Sequence, residues 1–126
     1  MGLSHAMLTL MNPRRPELES IMVEALADTG SVYLIIPEHL RLQLDLESDS
    51  TKEVTRADDS RRLVPYVGPI EVRFKNRVAY VGAIVMGDQV LLGAIPMKDM
   101  DLIVMSQLRR VDINPLNPNY AAALAK

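Results

Sequence analysis

Asp28 is the residue whose type and surroundings most demand chemistry. It follows the apolar approach Ala25-Leu26-Ala27 and opens the tetrapeptide Asp28-Thr29-Gly30-Ser31, after which Val32-Tyr33-Leu34-Ile35-Ile36 is apolar again. Connecting segments are normally polar and run over the surface. A carboxylate is rarely buried without a partner. An acid set between two core-like runs therefore needs a partner or a reaction. Ser31 offers a hydroxyl to the carboxylate, and Gly30 fits a turn that needs close backbone approach or a positive φ.

Other chemistries are poorly supplied. There are two histidines, His5 and His39, far apart in the chain, and no cysteine. His39 reads as a surface residue on a helix and His5 as part of a mobile end. No His-Glu-x-x-His motif, Gly-rich phosphate loop or nucleophile elbow is present, so no metal and no cofactor is expected. Asp45, Glu47 and Asp49 alternate, but the central Gly and distal Glu of a calcium loop are missing, and the stretch reads as a solvated loop. With 14 basic and 16 acidic residues the net charge is −2, which leaves no footprint for nucleic acid and no polybasic membrane patch. No signal peptide is visible, and no apolar run approaches the roughly 20 residues of a membrane span. A cytoplasmic protein without membrane or nucleic-acid partners is expected.

The 126 residues suit a single domain over 1–126, with a core at about 6–113 and a tail at 114–126. One Phe, four Tyr and no Trp leave the core to Leu, Ile, Val and eight Met. The elements needed to position Asp28 can be read in order. Strands are expected at 6–11, 20–27 and 32–36, flanking the Asp28 loop on both sides. Pro37 opens a short helix to about Leu44. Residues 51–67 read as an exposed hairpin around a turn at Ala57-Asp58-Asp59-Ser60, closed by Gly68-Pro69. Strands follow at 70–74, 78–86 and 90–95, the last interrupted by Gly93. A second helix starting at Pro96 precedes strands at 103–105 and 111–113. The tail after two Asn-Pro steps is helical or frayed. The stretch from Leu26 through Ser31 to the Pro37 helix is echoed from Val90 through Gly93 to the Pro96 helix, which points to an approximate internal twofold.

Asp28-Thr29-Gly30-Ser31 matches the Asp-Thr-Gly-Ser/Ala signature of the aspartic peptidases. Leu91-Leu92-Gly93 before a helix is similar to their second signature. The 51–67 hairpin occupies the place of the flap, with Ala57, Asp58, Asp59 and Ser60 as its tip. The order of these parts resembles the single-lobed retropepsin-like aspartic peptidases, closest to small prokaryotic members, over about residues 6–113. The resemblance implies an all-β fold, a small closed barrel of the acid-protease type with one or two short helices. It implies an aspartic endopeptidase in which Asp28 is catalytic and Thr29, Gly30 and Ser31 support the loop, with the Thr29 hydroxyl bonding across the pseudo-symmetric centre to fix both loops. Two carboxylates about 3 Å apart share one proton in such sites, one acting as general base on water and the other as general acid on the scissile carbonyl. The chain has one such motif, so a homodimer must bring the second, with a peptide or protein as substrate. The retroviral tip is glycine-rich, whereas Asp58 and Asp59 stiffen this one and disfavour acidic substrates. The competing readings are a retropepsin-like dimer that binds a peptide or partner without cutting it, and a purely structural β-barrel dimer.

Overall fold

Along β1 (His5–Met11), buried Ala6, Leu8 and Leu10 alternate with more exposed neighbours, the period-two signature of a strand with one face on a core. The same pattern recurs down the chain. The computed structural model describes residues 3–48 and 50–125 and is mostly β, with a closed six-stranded barrel and two short helices. β2 (Ile21–Ala27) returns antiparallel to β1, and β3 (Leu34–Ile36) leads into α1 (Glu38–Gln43). β4 (Ser50–Thr55) and β5 (Arg61–Phe74) form a long hairpin, and β6 (Arg77–Val85) folds back on β5. β7 (Val90–Leu92), α2 (Ala94–Asp99) and the hairpin β8 (Leu102–Met105)–β9 (Arg110–Ile113) complete the order. The strand sequence β5-β6-β3-β7-β2-β1 closes on itself where Leu10 faces Val72. β4 extends the sheet beyond β5, and β9 and β8 extend it beyond β1. Leu8, Leu10, Leu34, Ile36, Ile70, Val72 and Leu92 are fully buried and fill the interior.

Several boundaries differ from the sequence reading. β5 runs on through Gly68-Pro69 to Phe74 instead of stopping there. A register shift between Val67 and Ile70 takes up the proline, which has no N–H for the ladder. β3 begins at Leu34, because the Val32 carbonyl accepts from the Ile95 amide instead of joining a strand. α2 begins at Ala94, so Pro96 is its third residue, a position whose N–H has no intrahelical partner in any case. His5 belongs to β1, its Nδ1 2.8 Å from Glu24 Oε1, rather than to a mobile end.

The pairings repeat. β1–β2 and β5–β6 are antiparallel hairpins, β2 runs parallel to β7, and β6 runs parallel to β3. The contacts β1–β5 and β3–β7, each between equivalent strands, are antiparallel. An approximate internal twofold therefore carries β1, β2, β3 and α1 onto β5, β6, β7 and α2. The Asp28 amide donates to the Leu92 carbonyl and the Met86 amide to the Ile36 carbonyl, both at 3.0 Å. Met86 thus stands in the second half where Asp28 stands in the first. The repeat holds in a different register from the sequence echo: Gly93 is the equivalent of Pro37, not of Gly30.

Both helices end alike. Buried Leu44 and Met100 are followed by Asp45 and Asp101 in the left-handed region, at φ 52° and 54°. Asp tolerates that region better than most residues. Each C-terminus is capped by a buried polar side chain from elsewhere. Asn12 Nδ2 donates to the carbonyls of Leu44 (2.9 Å) and Asp45 (3.2 Å). The Arg77 guanidinium donates to Met100 (3.3 Å) and to Asn117. The described residues of the tail after Ile113 are not helical, and contacts hold the tail as far as Ala122. Asn114 and Asn117 donate to the Asp101 carboxylate at 3.2 and 2.8 Å, and the Ala122 amide at 3.1 Å.

Asn12→Ala leaves the Leu44 carbonyl buried without its partner, and a loss of about 1–3 kcal/mol in urea unfolding is expected; an unchanged midpoint would refute the capping role. The Ala122 amide, with the Asn114 and Asn117 side chains, holds the Asp101 carboxyl below the usual carboxylate range. A carboxylate with a depressed folded-state pKa contributes stability above its ordinary value, lost as pH falls through the folded one. The Ala122 amide resonance should therefore titrate at a pH below that of an ordinary Asp side chain, and Asp101→Asn should abolish that titration. A resonance that stays flat there would mean the tail is not held by this carboxylate.

Candidate active site

β2 brings Asp28 to the end of the barrel. Its last residues, Ala25-Leu26-Ala27, pair in parallel with Val90-Leu91-Leu92, and the Asp28 amide extends that pairing to the Leu92 carbonyl. The chain then turns on itself, the Ser31 amide donating to the Asp28 carbonyl at 3.0 Å. The half-buried carboxylate is held by its own loop. Oδ1 accepts from the Gly30 amide at 3.1 Å, and Oδ2 accepts from the Ser31 hydroxyl at 2.9 Å. One donor on each oxygen fixes the carboxylate plane and leaves lone pairs free for a further partner. Thr29 is exposed at the apex of the turn.

Gly30 does not have a positive φ, and a Cβ there would lie 3.4 Å from Asp28 Oδ1, an ordinary contact. The strict need for glycine falls instead on Gly93. A Cβ at Gly93 would lie 2.2 Å from the Tyr33 carbonyl oxygen and 2.9 Å from that of Ser31. Beside it, the Ala94 and Ile95 amides donate to the Ser31 and Val32 carbonyls, both at 2.8 Å. These are first-turn amides of α2, which have no intrahelical acceptor and no side-chain cap. The structure thus brings Asp28, Gly30 and Ser31 together with Leu92 and Gly93, while Leu91 stands opposite Ile35 at the β3–β7 contact.

A cleft of about 620 Å³ lies alongside. Gly30–Tyr33 form its floor, Lys52–Thr55 of β4 and the following Arg56 its roof, and Ile84, Met86 and Leu91 its back wall. Asp28 is beside this space, with Gly30 and Ser31 between. The rings of Tyr33 and Tyr66 meet edge to face with centroids 5.5 Å apart, and Lys52 Nζ lies 5.0 and 4.5 Å from the two centroids. Gly82 makes room for the Tyr66 ring, since a Cβ there would lie 2.1 Å from the phenolic oxygen. Sequence reasoning missed Lys52, Tyr33, Tyr66 and Met86. One signal was present: Lys52 and Val54 share the inward face of β4, where a charge is out of place.

Ala57, Asp58, Asp59 and Ser60 form the hairpin turn, and none of them lines the cleft. The Ser60 amide donates to Asp58 Oδ1 at 2.9 Å, and Asp59 adopts φ 66°. The Ser60 hydroxyl and amide hold the Asp58 carboxyl below its ordinary range. Elsewhere, Asp45 pairs with Arg15, Glu47 lies 3.8 Å from Arg14, and Asp49 is outside the described residues. Among the described residues, no three His, Asp or Glu side chains are grouped to hold a metal ion, and no helix is long and apolar enough to cross a membrane. No family model and no curated protein matches the chain.

Gly93 and Gly82 make opposite predictions for the same substitution. At Gly93 an added methyl meets backbone that cannot yield without breaking the Ala94 and Ile95 hydrogen bonds, and Gly93→Ala should cost about 2–4 kcal/mol in urea unfolding. At Gly82 it meets the far end of a tyrosine that can swing away, so Gly82→Ala should cost about 1 kcal/mol. Equal costs would remove the argument that the two loops are clasped at Gly93.

Proposed function

We propose that this chain is one protomer of a homodimeric aspartic endopeptidase of the retropepsin-like type. One observation carries the reading: the Asp28 carboxylate is oriented by a donor on each oxygen at the edge of a roofed, largely apolar cleft. The closed six-stranded barrel and its internal twofold are in keeping with that family. The twofold does not supply a second acid, because its equivalent position holds Met86. The second carboxylate comes from Asp28 of another protomer. Thr29 is exposed at the loop apex, and Val32 and Ile95 are 53% and 42% exposed beside it, leaving this end of the barrel open to a partner.

The chemistry follows from two carboxylates held close together. They cannot both ionise and hold one proton between them. The ionised member takes a proton from water, whose oxygen attacks the scissile carbonyl, while the protonated member gives its proton to the carbonyl oxygen. The tetrahedral diol collapses as a proton passes to the leaving amine. No covalent enzyme intermediate forms. β4 is an edge strand, so an extended peptide entering below it can add to its unpaired ladder.

Asp28→Asn should abolish cleavage of a peptide library between pH 3 and 7, a loss of at least about 10³-fold. Sedimentation should show a dimer, and titrating the variant into the wild type should depress activity through inactive mixed dimers. Activity that survives the substitution, or a fully active monomer, would defeat the proposal. A wild-type dimer that binds peptides and cuts none would establish the binding reading instead.

A further inference from the structure

Lys52 is in the wrong place for an ordinary surface lysine. On β4, Thr51, Glu53 and Thr55 are exposed, while Lys52 and Val54 are half-buried; Lys52 through Thr55 all border the cleft. Lys52 lies opposite buried Val64 on β5. Its ammonium rests against the rings of Tyr33 and Tyr66. Among the described residues it makes no hydrogen bond and no ion pair, whereas its neighbour Glu53 lies 3.6 Å from Arg61. Ring faces attract an ammonium electrostatically but do not satisfy its three N–H donors. The cleft therefore contains an oriented cation whose donors are unspent. Ile84, Met86, Leu91 and Val54 give the cleft an apolar wall, and Glu53 and Arg56 line it as well. Asp58 and Asp59 of the hairpin turn lie outside the cleft, and Glu53, which lines it, lies beside Arg61 rather than Lys52.

We propose that Lys52 is the specificity-determining residue of the cleft, its ammonium reading a carboxylate on an otherwise apolar, extended peptide. The inference rests on the peptidase reading above and assigns its substrate class: aliphatic peptides carrying one Asp or Glu side chain, or a free C-terminal carboxylate. It reverses the expectation that the acidic turn excludes acidic substrates. A carboxylate that reaches Lys52 exchanges water for a charge-assisted hydrogen bond in a partly desolvated space, where the attraction exceeds its value at an open surface. The tyrosine rings hold the ammonium in place beforehand, which lowers the entropy lost on binding.

The test uses fluorescein-labelled dodecapeptide pools built from Val, Leu, Ala, Phe and Ser, with one central Glu or Gln. Both carry a C-terminal amide; a third pool has Gln and a free C-terminus. Binding is read by anisotropy on the full chain in the Asp28→Asn background, which keeps the peptides intact. At pH 6 the Glu pool, the free-terminus pool or both should bind about tenfold more tightly than the amidated Gln pool, and the two arms identify the source of the carboxylate. The preference should vanish near pH 3, where the peptide carboxyl is protonated. Adding Lys52→Met should reduce it to within about twofold, while Lys52→Arg, which keeps the charge over the rings, should retain it. Equal binding of all pools, no binding by the folded protein, or a preference that survives Lys52→Met would overturn the inference. Cleavage by the wild type is scored separately. Peptides cut without regard to Lys52 sink this inference alone, and carboxylate-dependent binding without cleavage sinks the peptidase reading alone.

Discussion

The site depends on a backbone contact that admits no side chain. Gly93 sits against the carbonyls of Tyr33 and Ser31, and the first-turn amides of α2 donate into the same loop. This clasp joins two segments far apart in sequence. It satisfies helix amides that have no other acceptor. The direction of the Asp28 carboxylate follows from it. The loop from Asp28 to Tyr33 is tied at its start by the Leu92 carbonyl and along its second half by Ala94 and Ile95. Its two side-chain hydrogen bonds then set the carboxylate within an already fixed frame.

The internal twofold shows where the chain has been specialised. Its halves share strand pairings, helix ends and left-handed Asp residues after each helix. They differ in the connection that follows the second strand of each half. In the first it is a loop with an acid and two hydroxyls; in the second it is a shorter turn opened by Met86. The scaffold is shared, and the two connections are where the halves diverge.

Much of this was legible in the sequence, for reasons that are local. β1, β2 and β6 are short runs rich in apolar residues and bounded by turn residues, so the strands and the all-β class could be read directly. Asp28 could be read because an acid between apolar runs has few bland explanations. What could not be read depends on partners distant in the chain. The register of the repeat is set by which strands pair, and sequence similarity alone aligned Gly93 with the wrong residue. β5 looked like two strands because Gly68-Pro69 usually stops a ladder, and only the register shift against β6 shows how it continues. The tail looked loose because nothing within it announces that Asp101 will collect Asn114, Asn117 and the Ala122 amide. Lys52 was visible as a charge on an inward face, but its meaning required the two tyrosines, one of them on a different strand.

The long β5 strand has a mechanical consequence. Residues 61–65 pair with β4 alone, whereas Tyr66 pairs with both Ser50 of β4 and Ile84 of β6. In its backbone pairing the hairpin is thus a cantilever, a two-stranded beam whose last link to the barrel ladder is at Tyr66. Bending the beam breaks none of the ladder that closes the barrel. The load arrives at Tyr66, whose ring rests over Gly82 and against Tyr33 at the end of the Asp28 loop. The Tyr66 ring thus ties the base of this beam to the loop that carries Asp28.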